Sequence, residues 1–212
     1  MREEESTFTI DIHGNKYWRN KKGKLHRIDG PAIEFEDGDK FWYKNGKRHR
    51  IDGPANEYAN GNKAWYKMGE RHRIDGPAIE FNSGVKHWYQ NGVLHRIDGP
   101  AIEYPNGNKT WYQMGKLHRI DGPAIEFNNG VKHWYQNGKR HRIDGPAVEM
   151  FGYKVWYYRG ATHRIDGPAV CDGELKQFYL RGKYFKTKEA FFEALTDKEK
   201  EIAIFSKDFL NA

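Results

Sequence analysis

The chain has 212 residues, a net charge of +7, 37% hydrophobic and 15% aromatic residues, and a single cysteine, Cys171. Disordered chains are poor in aromatics, so the low hydrophobicity points to a thin, surface-rich fold; one cysteine excludes an internal disulfide and a Cys-based metal site. No apolar run approaches the roughly 18–20 residues that cross a bilayer. The acidic start, with Glu3, Glu4 and Glu5, is unlike a signal peptide, so a non-secreted, cytoplasmic protein without a membrane partner is expected.

Residues 1–6 sum to −2 and residues 186–212 to −1, which leaves about +10 on the segment between them. A basic surface favours acidic partners, although the Asp and Glu residues interspersed there balance most of this charge locally.

In chain order, residues 1–25 form a tail and a partial repeat. Phe8, Ile10 and Ile12 precede the turn dipeptide His13-Gly14, then Tyr17-Trp18, matching the second half of the unit that follows. Terminal units of arrays are often atypical because they cap an exposed end.

Residues 26–185 hold seven tandem units, each opened by the identical heptapeptide His-Arg-Ile-Asp-Gly-Pro-Ala, at His26, His49, His72, His95, His118, His141 and His163. The interval is 23 residues five times and 22 once. A fixed period of this length marks an array whose units bury apolar surface against their neighbours. In the unit at His118, Ala124 to Phe127 alternates as a short strand, and Asn129-Gly130 is a hairpin turn in which both positions need positive φ. Val131 to Gln136 returns as a second strand, and Asn137-Gly138 turns the chain into the next heptapeptide. There Asp144, Gly145 and Pro146 end any ladder.

Side chains alternate along a strand, so Trp88, Trp111 and Trp134 fall on one face and Tyr89, Tyr112 and Tyr135 on the other. These rows form the core, each ring packing on that of the next unit, or they are a stacking platform for bases. A two-unit superperiod overlies the repeat: Phe35, Phe81 and Phe127 alternate with Tyr58 and Tyr104, and Asn-Gly turns with Met68-Gly69 and Met114-Gly115. Copying of paired units and alternating surroundings explain it equally.

After Gly182 the pattern becomes helical. Thr187 is an N-cap for Lys188 to Leu195, and Thr196 with Glu199 is a capping box for a helix over roughly residues 197–206. Residues 186–212 are expected to cap the last strand; the alternative is a docking helix for a partner or a homo-oligomer contact.

The His, Arg and Asp of the heptapeptide are acid–base types, but catalysis needs one constellation and seven copies suit a structural contact better, so no enzyme, catalytic residue or cofactor is expected. Histidines one unit apart would lie about 10 Å from each other, too far to share one zinc. The histidine is expected to bond to the Asp three residues on or to a backbone carbonyl, and the arginine to pair with the strand glutamate, as Arg119 with Glu126. If the arginines Arg50, Arg73, Arg96, Arg119 and Arg142 instead line an open edge, they, with His72, His95 and His118 and the Trp and Tyr rows, become candidate ligand-binding residues for phosphates.

The run Trp134 to Ala147, Trp-Tyr-Gln-Asn-Gly-Lys-Arg-His-Arg-Ile-Asp-Gly-Pro-Ala, resembles the MORN repeat group. It is most similar to variant arrays with an His-Arg-x-Asp-Gly-Pro-Ala signature found in bacteriophage and giant-virus proteins. The resemblance covers about residues 8–185 and implies an all-β repeat fold: an elongated single-layer array of 23-residue β-hairpins, here with a short C-terminal helical cap. Ordinary MORN units have glycines where His118 and Pro123 stand, so the lipid-binding and scaffolding roles of that group do not carry over. A viral setting implies counter-defence, either by engaging a host protein or by sequestering an anionic nucleotide signal, with nucleic acid as a further ligand class. The leading expectation is a non-catalytic interaction scaffold.

Overall fold

A computed structural model describes residues 6–212; the acidic start, Glu3 to Glu5, lies outside them. The chain is almost entirely β, built from repeated antiparallel strand pairs, with three short helices at its C-terminal end. It divides into two compact units, one ending at Pro105 and one over Asn106–Ala212.

In the first unit, Thr7–Ile10 pairs with Lys16–Arg19, and Tyr17 then faces Ile33 of the next strand. The ladder continues in steps of two residues: Ile79–Glu80 pairs on one side with Lys63–Ala64 and on the other with Lys86–His87. The second unit repeats this, with Ile125–Glu126 between Lys109–Thr110 and Lys132–His133. The strands are short because the heptapeptide interrupts them once per repeat, and proline cannot donate to a ladder.

The expected single return strand, Val131 to Gln136, is divided. Lys132–His133 belongs to the main ladder, whereas Tyr135–Gln136 leaves it and pairs with Lys139–Arg140 in a second, smaller hairpin. Trp134 is the junction: its N–H donates to the Ala147 carbonyl at 2.8 Å and its carbonyl accepts from His141 N–H at 3.1 Å. Each 23-residue repeat thus holds two hairpins.

The turns correct one expectation. At Asn129-Gly130 only the glycine has positive φ, +88°. Three residues, Asn128 to Gly130, separate Phe127 from Val131, and a three-residue loop needs left-handed geometry only at its last position. The two-residue loop Asn137-Gly138 has both residues left-handed, at +51° and +79°. Met68, with φ +52°, takes the conformation of Asn45, so the alternation of turn residues changes no backbone geometry.

The heptapeptide alanines, from Ala32 to Ala169, are wholly buried between strands. The larger core lies at the C-terminal end. There Phe178, Leu180 and Phe185 are covered by Phe191 of helix α1 (Lys188–Glu193), Ala203 of helix α2 (Asp197–Ile204) and Leu195 between the two helices. Both caps form as expected, Thr187 accepting from Ala190 N–H and Thr196 with Glu199 closing a capping box. A third helix, α3 (Lys207–Leu210), capped by Ser206, adds Phe209 to the same core. No helix among the described residues is long and apolar enough to cross a membrane.

Candidate functional site

The heptapeptide joins two successive hairpins, and His49 to Ala55 shows how. His49 N–H donates to the carbonyl of Trp42, behind it, and Arg50 N–H donates to that of Tyr66, ahead of it. The Arg50 side chain then folds back on its own loop. Nε donates to Asp52 at 3.1 Å, and Nη1 donates to the Pro54 carbonyl at 3.2 Å and to Glu57 at 2.7 Å. The guanidinium carbon lies 4.0 Å from the centroid of the Trp42 ring. On its other side is Gly53, where a Cβ would come within 2.9 Å of that carbon, so glycine is required for this close approach. The hydrogen bond from Arg50 holds the Asp52 carboxyl below its ordinary range.

The clamp recurs for the other arginines. Arg73, Arg96, Arg119 and Arg142 bond to Glu80, Glu103, Glu126 and Glu149 at 2.7 to 2.9 Å. They lie over Trp65, Trp88, Trp111 and Trp134 at 4.0 to 4.1 Å. Each tryptophan ring is therefore faced by a guanidinium, which replaces the expected stacking of ring on ring. A flat cation satisfies the π-face and the strand carboxylate together, which a second indole cannot do.

The expected histidine contact is also corrected. Nδ1 accepts a backbone N–H from the left-handed turn residue of the following small hairpin, in place of the expected bond to the Asp or to a backbone carbonyl; His118 Nδ1 also lies 3.1 Å from the Asn137 side-chain oxygen. His72 accepts from Asn91 at 3.2 Å and His118 from Asn137 at 3.1 Å. A two-residue turn leaves that N–H pointing inward, and only an acceptor can meet it. The ring must then be neutral at Nδ1, and burial lowers the pKa of His49, His141 and His163. His95 N–H reaches the Trp88 carbonyl at 3.1 Å.

The tyrosines serve the same joints through their backbones. The Tyr89 carbonyl accepts Arg73 N–H and the Tyr135 carbonyl accepts Arg119 N–H, and Tyr112 pairs with Leu117 in a small hairpin. The Tyr135 hydroxyl accepts from Arg140 Nε at 3.1 Å. The candidate residues read from the sequence are thus brought together, mostly in contacts with one another.

One heptapeptide residue has no such use. Ile51, Ile74, Ile97, Ile120 and Ile143 are 78 to 90% exposed, and Ile28 is 65% exposed. The neighbouring aspartates, from Asp29 to Asp144, have side chains 81 to 84% exposed. A single exposed aliphatic residue needs no explanation, but the same one at every loop presents an apolar row in each unit. The sequence carried a signal for it: an aliphatic residue just before Asp-Gly-Pro lies outside any strand and cannot be placed in the ladder.

Between consecutive loops of the same unit run open clefts. The one between the His26 and His49 loops encloses about 650 Å³, with Trp42 and Lys44 in its wall. The next, reaching the His72 loop, encloses about 710 Å³ and has Trp65, Tyr66 and Lys67 in its wall. Among the described residues no group of three His, Cys, Asp or Glu side chains is arranged to hold a metal ion. Cys171 is partly buried, and burial raises its thiol pKa.

No protein-family model matches the sequence, and no curated protein matches it.

Proposed function

We propose that the chain is a non-catalytic binding protein, an interaction scaffold whose rows of loop isoleucines and intervening clefts engage a partner protein. The observation that carries this reading is the exposed isoleucine repeated at six loops in which the neighbouring arginine, glycine and alanine are engaged internally. Protein interfaces are built around apolar anchors with a polar rim, and here each isoleucine has an exposed aspartate beside it. The resemblance to MORN-like arrays of bacteriophage and giant-virus proteins supports a host protein as that partner. The anionic-nucleotide reading is disfavoured because each loop arginine already faces a tryptophan and holds carboxylates through Nε and Nη1, which leaves Nη2 alone for an anion in place of the two-nitrogen fork that suits a phosphate.

The test is a random-peptide display library panned against the protein and against an Ile51→Asp/Ile74→Asp/Ile97→Asp variant. Exposed substitutions of this kind change stability by about 0.5 kcal/mol or less each, so the variant keeps its fold. Peptides enriched on the wild type and lost on the variant support the reading. Peptides held equally by both overturn it, as does a melting-point rise with cyclic dinucleotides that disappears in Arg96→Ala.

A further inference from the structure

The seventh loop differs from the other six. Its strand residue is Cys171 where the others have glutamate, as Glu149 in the preceding unit. The carboxylate comes instead from Asp208 on helix α3, which accepts from Arg164 Nη2, while Nε and Nη1 keep their bonds to Asp166 and to the Pro168 carbonyl. Ser206 Oγ donates to the Asp166 carbonyl, Ile165 packs against the C-terminal core, and Ile202 joins Asp208 in the wall of the cleft between the His141 and His163 loops. The Arg164 side chain falls to 7% exposure, against 20 to 22% for its six counterparts, and that of Asp166 to 43%.

A following loop does not cover its neighbour in this way: where one follows, the isoleucine and aspartate stay exposed. The segment from Ile202 to Phe209 therefore covers a surface that the array leaves open elsewhere. In the six other loops the arginine uses Nε and Nη1, and Nη2 makes no hydrogen bond among the described residues. It is also not among the buried polar atoms lacking a partner, so it reaches solvent. Because the strand glutamate bonds to Nη1 and Asp208 to Nη2, both carboxylates can be held by one guanidinium.

We propose that the clefts between consecutive loops take a short acidic and apolar peptide segment of the partner protein. Its carboxylate meets arginine Nη2, a hydroxyl meets the carbonyl of the loop aspartate, and an aliphatic or aromatic side chain covers the loop isoleucine. This rests on the protein-binding reading above and names the chemistry of the partner. A carboxylate on a guanidinium makes a charge-assisted bond, and the isoleucine supplies the apolar contact.

The probe is a synthetic peptide of residues 196–212, titrated into the full chain carrying 13C-labelled isoleucine methyls, beside the same peptide with Asp208→Asn. The expected result is a saturable shift of the Ile51 and Ile74 methyl signals, with affinity about tenfold weaker for the Asp208→Asn peptide, which lacks the carboxylate. No saturable shift at millimolar peptide overturns the proposal, and equal binding of both peptides overturns it too, since the carboxylate that meets Arg164 would then contribute nothing. Either failure leaves the display experiment standing as the separate measure of protein binding.

Discussion

Replacing Arg73 by lysine separates charge from shape at the joint between hairpins. The wild-type guanidinium lies 4.1 Å from the Trp65 ring, bonds to Glu80 at 2.9 Å and to the Pro77 carbonyl at 3.3 Å, and has a side chain 22% exposed. Facing the indole is worth about 1 kcal/mol in a partly desolvated setting, and leaving Glu80 and the Pro77 carbonyl without their donor costs about 1–2 kcal/mol more. Arg73→Ala should therefore cost about 2–3 kcal/mol. Arg73→Lys keeps the charge but loses the flat fork, and should cost about 1–2 kcal/mol. Repeat arrays need not unfold as one unit, so the measurement is native-state hydrogen exchange at the Trp65 and Arg73 amides, both bonded across this joint. Exchange should rise roughly 30- to 150-fold for Ala and 5- to 30-fold for Lys. A lysine variant with wild-type protection would show that charge alone holds the joint and would refute the role assigned to the tryptophan.

Gly76 has ordinary φ, so Gly76→Ala strains no backbone, yet its Cβ would lie 2.9 Å from Arg73 Cζ, in a guanidinium pinned against Trp65. The expected cost is about 1–3 kcal/mol, and it should largely vanish in an Arg73→Ala background; an undiminished cost in the double variant would place the clash elsewhere. Acid should also weaken the fold through the histidines. Burial depresses the pKa of His49, His141 and His163 below 6.5, so the unfolded chain binds protons first as pH falls. Their contribution is complete above pH 6.5 and is lost below it, so the melting temperature should fall between pH 7 and pH 5; a flat or rising profile would contradict neutral rings accepting turn N–H groups.

Much of the architecture was legible because its determinants are local. A glycine at a hairpin turn and a threonine three residues before a glutamate act within a few residues, and the hairpins and the capping box formed where those residues stand. The Arg119–Glu126 pair was legible for the same reason, seven residues apart. Helix α3 was not, because four residues carry too little periodicity to separate from the end of α2. The division of Val131 to Gln136 was hidden because Trp134 has the composition of a strand residue while its hydrogen bonds go to two different partners. The histidine acceptor role depends on an N–H 19 residues away, and nothing near the histidine announces it. The isoleucine was passed over for a different reason: an identical heptapeptide invites a packing role for all seven positions, and that outweighed the signal that this residue lies outside any strand.

The hydrogen bonds that join the hairpins span short stretches of chain. His72 reaches 19 residues ahead, Arg73 7 residues, and the bond from Asn20 to Asn45 spans 25. The C-terminal segment is the exception, with Ser206 reaching back 40 residues and Asp208 meeting Arg164 across 44. Chains dominated by near-neighbour contacts close small loops and form quickly, and each added hairpin finds its template already in place. Growth from the ribosome can therefore keep pace with synthesis, hairpin by hairpin, as far as the hairpin that follows the seventh heptapeptide. That hairpin lacks its own strand glutamate, and Arg164 waits for a carboxylate that emerges 44 residues later. Closure of the cap thus joins residues farther apart in the chain than the joints between hairpins do, and Arg164 is completed only once Asp208 has been made.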